Sequence, residues 1–252
     1  MHTVEIRGVA LGDGIPKVIV PLCETDAAAL LEQARALGTS EADLIEWRVD
    51  ALDGAKDAAV VLALLPDVRA ALGQKPLLAT CRTARDGGTG PVDARYPALV
   101  KLLCESGQID LVDIELSAGN DMVHEMVAAA HANHVTALVS WHDFSTTPPQ
   151  AEMIDRLRRM QALGADIIKL AVMPRCRADV AALLGATAEI ADRHPEIPII
   201  SMSMGPLGRI SRLAGEAFGS CATFATAGRA SAPGQPTLEQ ARALLKALHT
   251  DL

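Results

Sequence analysis

Lys169 interrupts an otherwise apolar, β-branched run, Ala-Asp-Ile-Ile-Lys-Leu-Ala-Val-Met-Pro at 165–174, with Gly164 before it and Pro174 closing it. Such a run reads as a short strand buried on both faces. An ammonium there without a partner is costly, so the amine is driven toward its neutral form, and a neutral amine can attack a carbonyl carbon to form a Schiff base. Two structural explanations compete: a lysine snorkelling from the strand end to water, and a core lysine paired with a carboxylate.

The elements that must position Lys169 follow one repeating pattern. Residues 2–14 suggest a small hairpin with glycine turns. Runs at 17–22, 43–49, 76–82, 110–116, 135–141, 166–173, 197–203 and 221–227 read as strands. The segments between and after them read as helices at 26–37, 55–71, 93–105, 122–132, 150–163, 177–193, 209–217 and 238–248. Eight strand–helix units with near-continuous apolar strands predict a (β/α)8 TIM barrel, preceded by an N-terminal β-hairpin, with residues 1–252 as one catalytic domain. An open doubly wound sheet is the alternative, but the first strand–helix turn, Leu22-Cys-Glu-Thr-Asp26, lacks a Gly-x-Gly-x-x-Gly phosphate loop.

In such barrels the active site lies at the C-terminal ends of the strands. Strand side chains alternate, so in Leu-Ile-Glu-Trp-Arg-Val, Ile45, Trp47 and Val49 face the helices while Glu46 and Arg48 face the lumen. The same phase turns Thr80, Arg82, Asp113, Glu115, Ser140, His142, Lys169, Met202 and Met204 inward. A lone lumen charge is usually half of a structural ion pair, and a methionine usually fills space. Six charged residues and a histidine converging on one mouth require something to offset their desolvation, and a charged polar ligand would do so.

Five motifs occur in order: Glu46-Trp-Arg-Val-Asp50; Thr80-Cys-Arg-Thr83 followed by Gly87-Gly88; His142-Asp-Phe144; Lys169-Leu-Ala-Val-Met-Pro174; and Ser211-Arg-Leu213 with Ala232-Pro-Gly-Gln235. Together they resemble the type I 3-dehydroquinate dehydratases of the shikimate pathway over essentially the whole chain. The resemblance implies dehydration of 3-dehydroquinate to 3-dehydroshikimate, with Lys169 as the Schiff-base residue and His142 as general acid/base. It implies substrate contacts from Glu46, Arg48, Arg82, Arg212, Ser231 and Gln235, a pocket lined by Met202 and Met204, and a homodimer.

The chain departs from the family pattern at Trp141, where Asn is common, and at Asp86, where Glu is usual. That glutamate would orient His142, and an aspartate is shorter by about 1.5 Å. Either the segment 83–90 moves inward, or a water bridges, or Asp113 or Glu115 takes over; Gly87, Gly88 and Gly90 make the backbone permissive, so the inward movement is expected.

The chemistry agrees with this assignment. A protonated imine on Lys169 acidifies the α-carbon of a β-hydroxy ketone, and one imidazole near neutrality can take the α proton and then return a proton to the departing hydroxide. Arg212 is the candidate bidentate carboxylate clamp, and 228–236 the candidate lid. A class I aldolase or transaldolase would use the same lysine to cleave a C–C bond, and a silent binding barrel would need no such cluster; His142-Asp-Phe and Ala-Pro-Gly-Gln argue against both.

Composition narrows the partners. With 23 Lys and Arg against 31 Asp and Glu, a net charge of −8, and only two Trp, one Tyr and three Phe, no footprint for nucleic acid exists. No apolar run reaches the roughly 18 residues of a membrane span, and no signal peptide is evident, so a cytoplasmic location is expected. Five scattered cysteines without a Cys-x-x-Cys pair predict reduced core thiols and neither disulfide nor zinc. With no metal cluster or nucleotide loop, no cofactor is expected.

Overall fold

The computed structural model describes residues 2–228 and 231–249. A hairpin of β1 (Val4–Ile6) and β2 (Val9–Leu11) turns at Arg7 and Gly8, both with positive φ. Eight parallel strands follow: β3 (Lys17–Leu22), β4 (Leu44–Arg48), β5 (Leu77–Thr80), β6 (Leu111–Glu115), β7 (Thr136–Asp143), β8 (Ile167–Val172), β9 (Ile199–Ser203) and β10 (Ala222–Phe224). From β3 to β9 each pairs with the next in chain order, and β10 pairs with β3. Between β9 and β10 the ring closes through one bridge, Ile199 to Ser220, and a hydrogen bond from Cys221 N to Ile199 O (2.8 Å). The result is a nearly closed (β/α)8 barrel with a separate hairpin.

Outside the strands lie α1 (Ala27–Gly38), α2 (Ala58–Leu72), α3 (Arg95–Glu105), α4 (Asn120–Ala132), α5 (Gln150–Ala162), α6 (Arg177–Arg193), α7 (Gly205–Leu213) and α8 (Leu238–Leu248). Strand alternation divides the apolar residues into two layers. Ile45, Trp47, Ile168, Leu170 and Val172 pack outward against the helices. Ile19, Leu44, Leu78, Leu111, Leu138, Ile167 and Ile200 fill the lower lumen, where Ile6 and Leu11 of the hairpin join them. Above that floor the inward positions become polar.

The seventh barrel helix differs from expectation. Residues 209–217 read as helical from sequence, whereas the helix runs Gly205–Leu213 and continues as a 3-10 turn at Gly215–Phe218. Two glycines and Pro206 disguised its start, but proline suits the first helical turn. Gly208 is there for packing: a Cβ would lie 2.4 Å from the Ser203 carbonyl group on β9. The strands expected at 76–82 and 221–227 are shorter, so Arg82 stands just beyond its strand, and β7 runs longer and includes His142. Four cysteines are buried, but Cys176 is exposed at the start of α6, so the expectation of core thiols fails there.

The contact at Gly208 is testable. Alanine is a better helix former by about 1 kcal/mol, yet overpacking against backbone costs roughly 1–3 kcal/mol. Gly208→Ala should therefore lower the melting temperature by several degrees; an unchanged or raised value in calorimetry would show that the β9–α7 junction yields freely.

Candidate active site

At the C-terminal end of the barrel, the side chains of β4 to β10 converge on a cavity of about 40 Å³. Lys169 hangs from the middle of β8 and is 3% exposed. Its Nζ is 3.6 Å from Glu46 Oε1 and 3.5 Å from Asp113 Oδ2, and it lies over the Phe224 ring, 4.3 Å from the centroid. Both carboxylates stand beyond hydrogen-bond range. Burial therefore outweighs their attraction, and with Arg82 and Arg48 adding repulsion the amine is held below its ordinary value.

His142, at the end of β7, is more strongly affected. Burial and then the cations of Arg82, Lys169 and Arg48 push it well below the usual histidine value, so the imidazole is neutral. Asp86 Oδ2 accepts from the His142 backbone N–H (3.2 Å) and lies 3.4 Å from ring Nδ1. Nδ1–H facing a carboxylate leaves the Nε2 lone pair free for a proton. The Phe144 ring stacks beside the imidazole, with centroids 6.3 Å apart.

Asp86 reaches His142 from a 3-10 turn, Ala84–Asp86, ended by Gly87 in the left-handed conformation. The turn is drawn tightly onto the strand end. A Cβ on Gly88 would sit 2.1 Å from the Arg82 carbonyl oxygen, and one on Gly87 would strike the Phe144 ring. Asp113 and Glu115 are engaged elsewhere, in the ion network below. Trp141 faces outward, where Arg156 of α5 stacks on its ring at 4.2 Å, so it makes no part of the site.

The three arginines differ in what the protein leaves them. Arg82 donates to Asp113 (2.8 Å), Glu115 (2.9 Å) and Ser140 (3.1 Å), a buried network that pushes its pKa up despite burial. Those bonds make Arg82 first a structural cation that orders the floor, although it still borders the cavity. Within that network burial would raise Asp113, but Arg82 and Lys169 outweigh it and hold the carboxyl low. Arg48 gives its Nε and Nη2 to the two oxygens of Asp50, each at 3.0 Å. Arg212, on α7, is 2% exposed, and among the described residues it meets only the Met202 sulfur (3.1 Å) and the Pro233 carbonyl (3.3 Å), while Nε finds no partner. Buried with no counter-charge beside it, Arg212 is pulled down to about 10. A desolvated guanidinium with idle donors is the feature expected of a site that receives an anion.

Ser231 and Gln235 hold each other, Ser231 N to Gln235 Oε1 and Gln235 Nε2 to Ser231 Oγ, both 3.0 Å, at the cavity edge. The segment docks on α7 through Gly205 N to Pro233 O (3.0 Å). Of the expected lid at 228–236, residues 229 and 230 lie outside the described residues. Met202 and Met204 line the cavity as expected. Phe224 was not anticipated; the signal lay in one of only three phenylalanines falling at the end of the last strand. Among the described residues no cluster of three His, Cys, Asp or Glu side chains could hold a metal ion.

Comparison with known proteins gives this cluster its context. Residues 18–251 match the family model described as type I 3-dehydroquinase. The chain belongs to the type I 3-dehydroquinase family. Members called 3-dehydroquinate dehydratase from Escherichia coli and Shigella boydii are 44% and 43% identical to it over 250 residues, 99% of either chain. The solved family member from Clostridium difficile superposes with a TM-score of 0.95 at 38% identity over 100% of both chains. That from Geobacillus kaustophilus gives 0.93 at 38% identity over 98% of this chain and 96% of its own.

Arg212 supplies the direct test of the anion site. Arg212→Lys keeps the charge but loses the planar fork, and a charge-assisted pair is worth roughly 1.5–3 kcal/mol. KM for a carboxylate substrate should rise at least tenfold; an unchanged KM would move the clamp to Arg48 or Arg82.

Proposed function

We propose that this chain is a carbon–oxygen lyase that dehydrates 3-dehydroquinate to 3-dehydroshikimate in the shikimate pathway, working through a Schiff base on Lys169 with no cofactor. The observation that carries the reading is the buried amine of Lys169, held below its ordinary pKa in the same small cavity as a neutral imidazole and an arginine without an anion. The relatives' names supply the substrate, and the Clostridium difficile relative was solved with covalently modified comenic acid, which fits a nucleophile in this site.

The neutral Lys169 amine adds to the ketone carbon, and with one proton taken up from solvent, which the final hydrolysis returns, loss of water leaves a protonated imine. Neutral His142 takes the α proton, and the electron pair moves into the iminium to give an enamine. The enamine expels the β-hydroxyl, which leaves as water with the proton His142 had taken. Hydrolysis of the resulting iminium releases product and restores the amine. Glu46 and Asp113 steady the iminium charge, and the Phe224 ring face does the same through cation–π attraction. Arg212 takes the carboxylate, Arg48 and Arg82 border the remaining oxygens, and Ser231 with Gln235 covers the ring. A cavity of about 40 Å³ holds only a few waters, so the 231–235 segment must lift to admit substrate.

The whole chain serves as one catalytic unit in this reading, and a cytoplasmic homodimer accommodates it. No helix among the described residues is long and apolar enough to cross a membrane. Leu207 and Ile210 on α7, with Leu244 and Leu248 on neighbouring α8, expose apolar surface that a second copy would cover.

Borohydride added during turnover should inactivate the enzyme and leave a reduced substrate adduct on the peptide containing Lys169, found by mass spectrometry. An adduct confined to another lysine, or normal turnover in Lys169→Ala, would defeat the mechanism. His142 should also remain unprotonated at pH 6.5: its lowered pKa means that the proton binds only as pH falls well below the ordinary histidine value. An NMR titration of the imidazole with a midpoint at or above 6.5 would contradict the proposed base.

A further inference from the structure

Asp50 closes the Glu-Trp-Arg-Val-Asp motif, yet the chemistry above gives it no task. Its side chain is 2% exposed and is surrounded by donors. Oδ1 accepts from Arg48 Nε (3.0 Å) and from the Arg82 backbone N–H (3.1 Å); Oδ2 accepts from Arg48 Nη2 (3.0 Å) and from the Thr89 backbone N–H (3.2 Å). The Thr89 hydroxyl in turn donates to the Asp50 carbonyl (2.6 Å). The carboxylate is thus anchored by two backbone amides at either end of the tight segment 82–89, and it holds the Arg48 guanidinium by one complete edge.

Two consequences follow from that geometry. A bidentate carboxylate–guanidinium pair is directional, so the plane of Arg48 is set by Asp50 rather than by the ligand. With Nε and Nη2 each giving one N–H to Asp50, three of the five N–H groups of Arg48, which borders the cavity, remain for a ligand in a plane already fixed. Such prior ordering spares the complex the entropy of fixing a long side chain on binding.

We infer that Asp50 is a positioning residue, which fixes the plane of the Arg48 guanidinium so that its remaining donors meet the substrate in one orientation. This rests on the reading of the cavity as the 3-dehydroquinate site. The alternative is that Asp50 only cross-links the 82–89 segment to the end of β4.

A double-mutant cycle separates the two. KM and kcat for 3-dehydroquinate, with melting temperature, would be measured for the wild type, Asp50→Asn, Arg48→Ala and the double variant. Asp50→Asn should raise KM about tenfold, the size of one misplaced charge-assisted hydrogen bond, and should leave KM within about twofold when added to Arg48→Ala. A KM that does not change in Asp50→Asn, or that rises equally in both backgrounds, overturns the inference, whatever the melting temperatures do. If Asp50→Asn fails to fold by circular dichroism, Asp50→Glu, which keeps the charge but displaces it, takes its place with the same expectations; failure of both to fold assigns Asp50 to structure alone. A wild type without dehydratase activity removes the substrate reading and this inference with it, whereas an active wild type with an uncoupled cycle removes only the inference.

Discussion

The site depends on keeping one amine out of water without fully compensating it. Lys169 is enclosed by the barrel wall and the Phe224 ring, and its two carboxylate neighbours stand at 3.5 and 3.6 Å. Closer contact would form true hydrogen-bonded pairs and return the amine to a firmly charged, unreactive state. Absence of carboxylates would leave the amine with no counter-charge at all. The spacing therefore sits between two failures, and it is maintained because Glu46 is fixed by the Thr80 hydroxyl (3.0 Å) and Asp113 by Arg82 and Ser140. A buried network whose members are all satisfied is stiff, since each lost bond would leave a polar group stranded.

Positive charge is distributed by the same rule. Arg82, Arg48 and Arg212 approach one cavity with two, one and, among the described residues, no carboxylate partners. The doubly paired one builds the floor. The unmatched one carries a desolvation cost that an incoming carboxylate would relieve, which converts stability withheld from the free protein into affinity. Burial, and then the charges of Arg82, Lys169 and Arg48, hold His142 well below its ordinary value, so a proton acceptor persists among these cations.

Rigid and movable parts divide along the fold. Lys169, Glu46, Asp113 and Ser140 stand on barrel strands paired with their neighbours, and their positions follow from strand register. His142 is on a strand end but depends for its tautomer on Asp86, which is carried by a turn. That turn holds its place through close packing of Gly87 and Gly88 rather than through a ladder. The 231–235 segment is docked by a few polar contacts rather than by a strand ladder.

Much of this was legible in the chain itself. The strand–helix alternation and the period of two along each strand are local, covalent facts, so the barrel, its lumen-facing residues and the convergence of Lys169, His142 and the arginines could be read without coordinates. Helix α7 could not be placed, because Gly205, Pro206 and Gly208 look like breakers until the carbonyl of Ser203 is seen to demand the missing Cβ. Nor could composition rank the arginines: their donors are allotted by residues 2, 31 or 21 positions away, and only folding brings those acceptors into reach. Asp86 shows the limit most plainly. Its glycines favoured an inward turn, but how closely that turn approaches His142 is set by the packing of Gly87 and Gly88 against Phe144 and Arg82, which sequence order does not reveal.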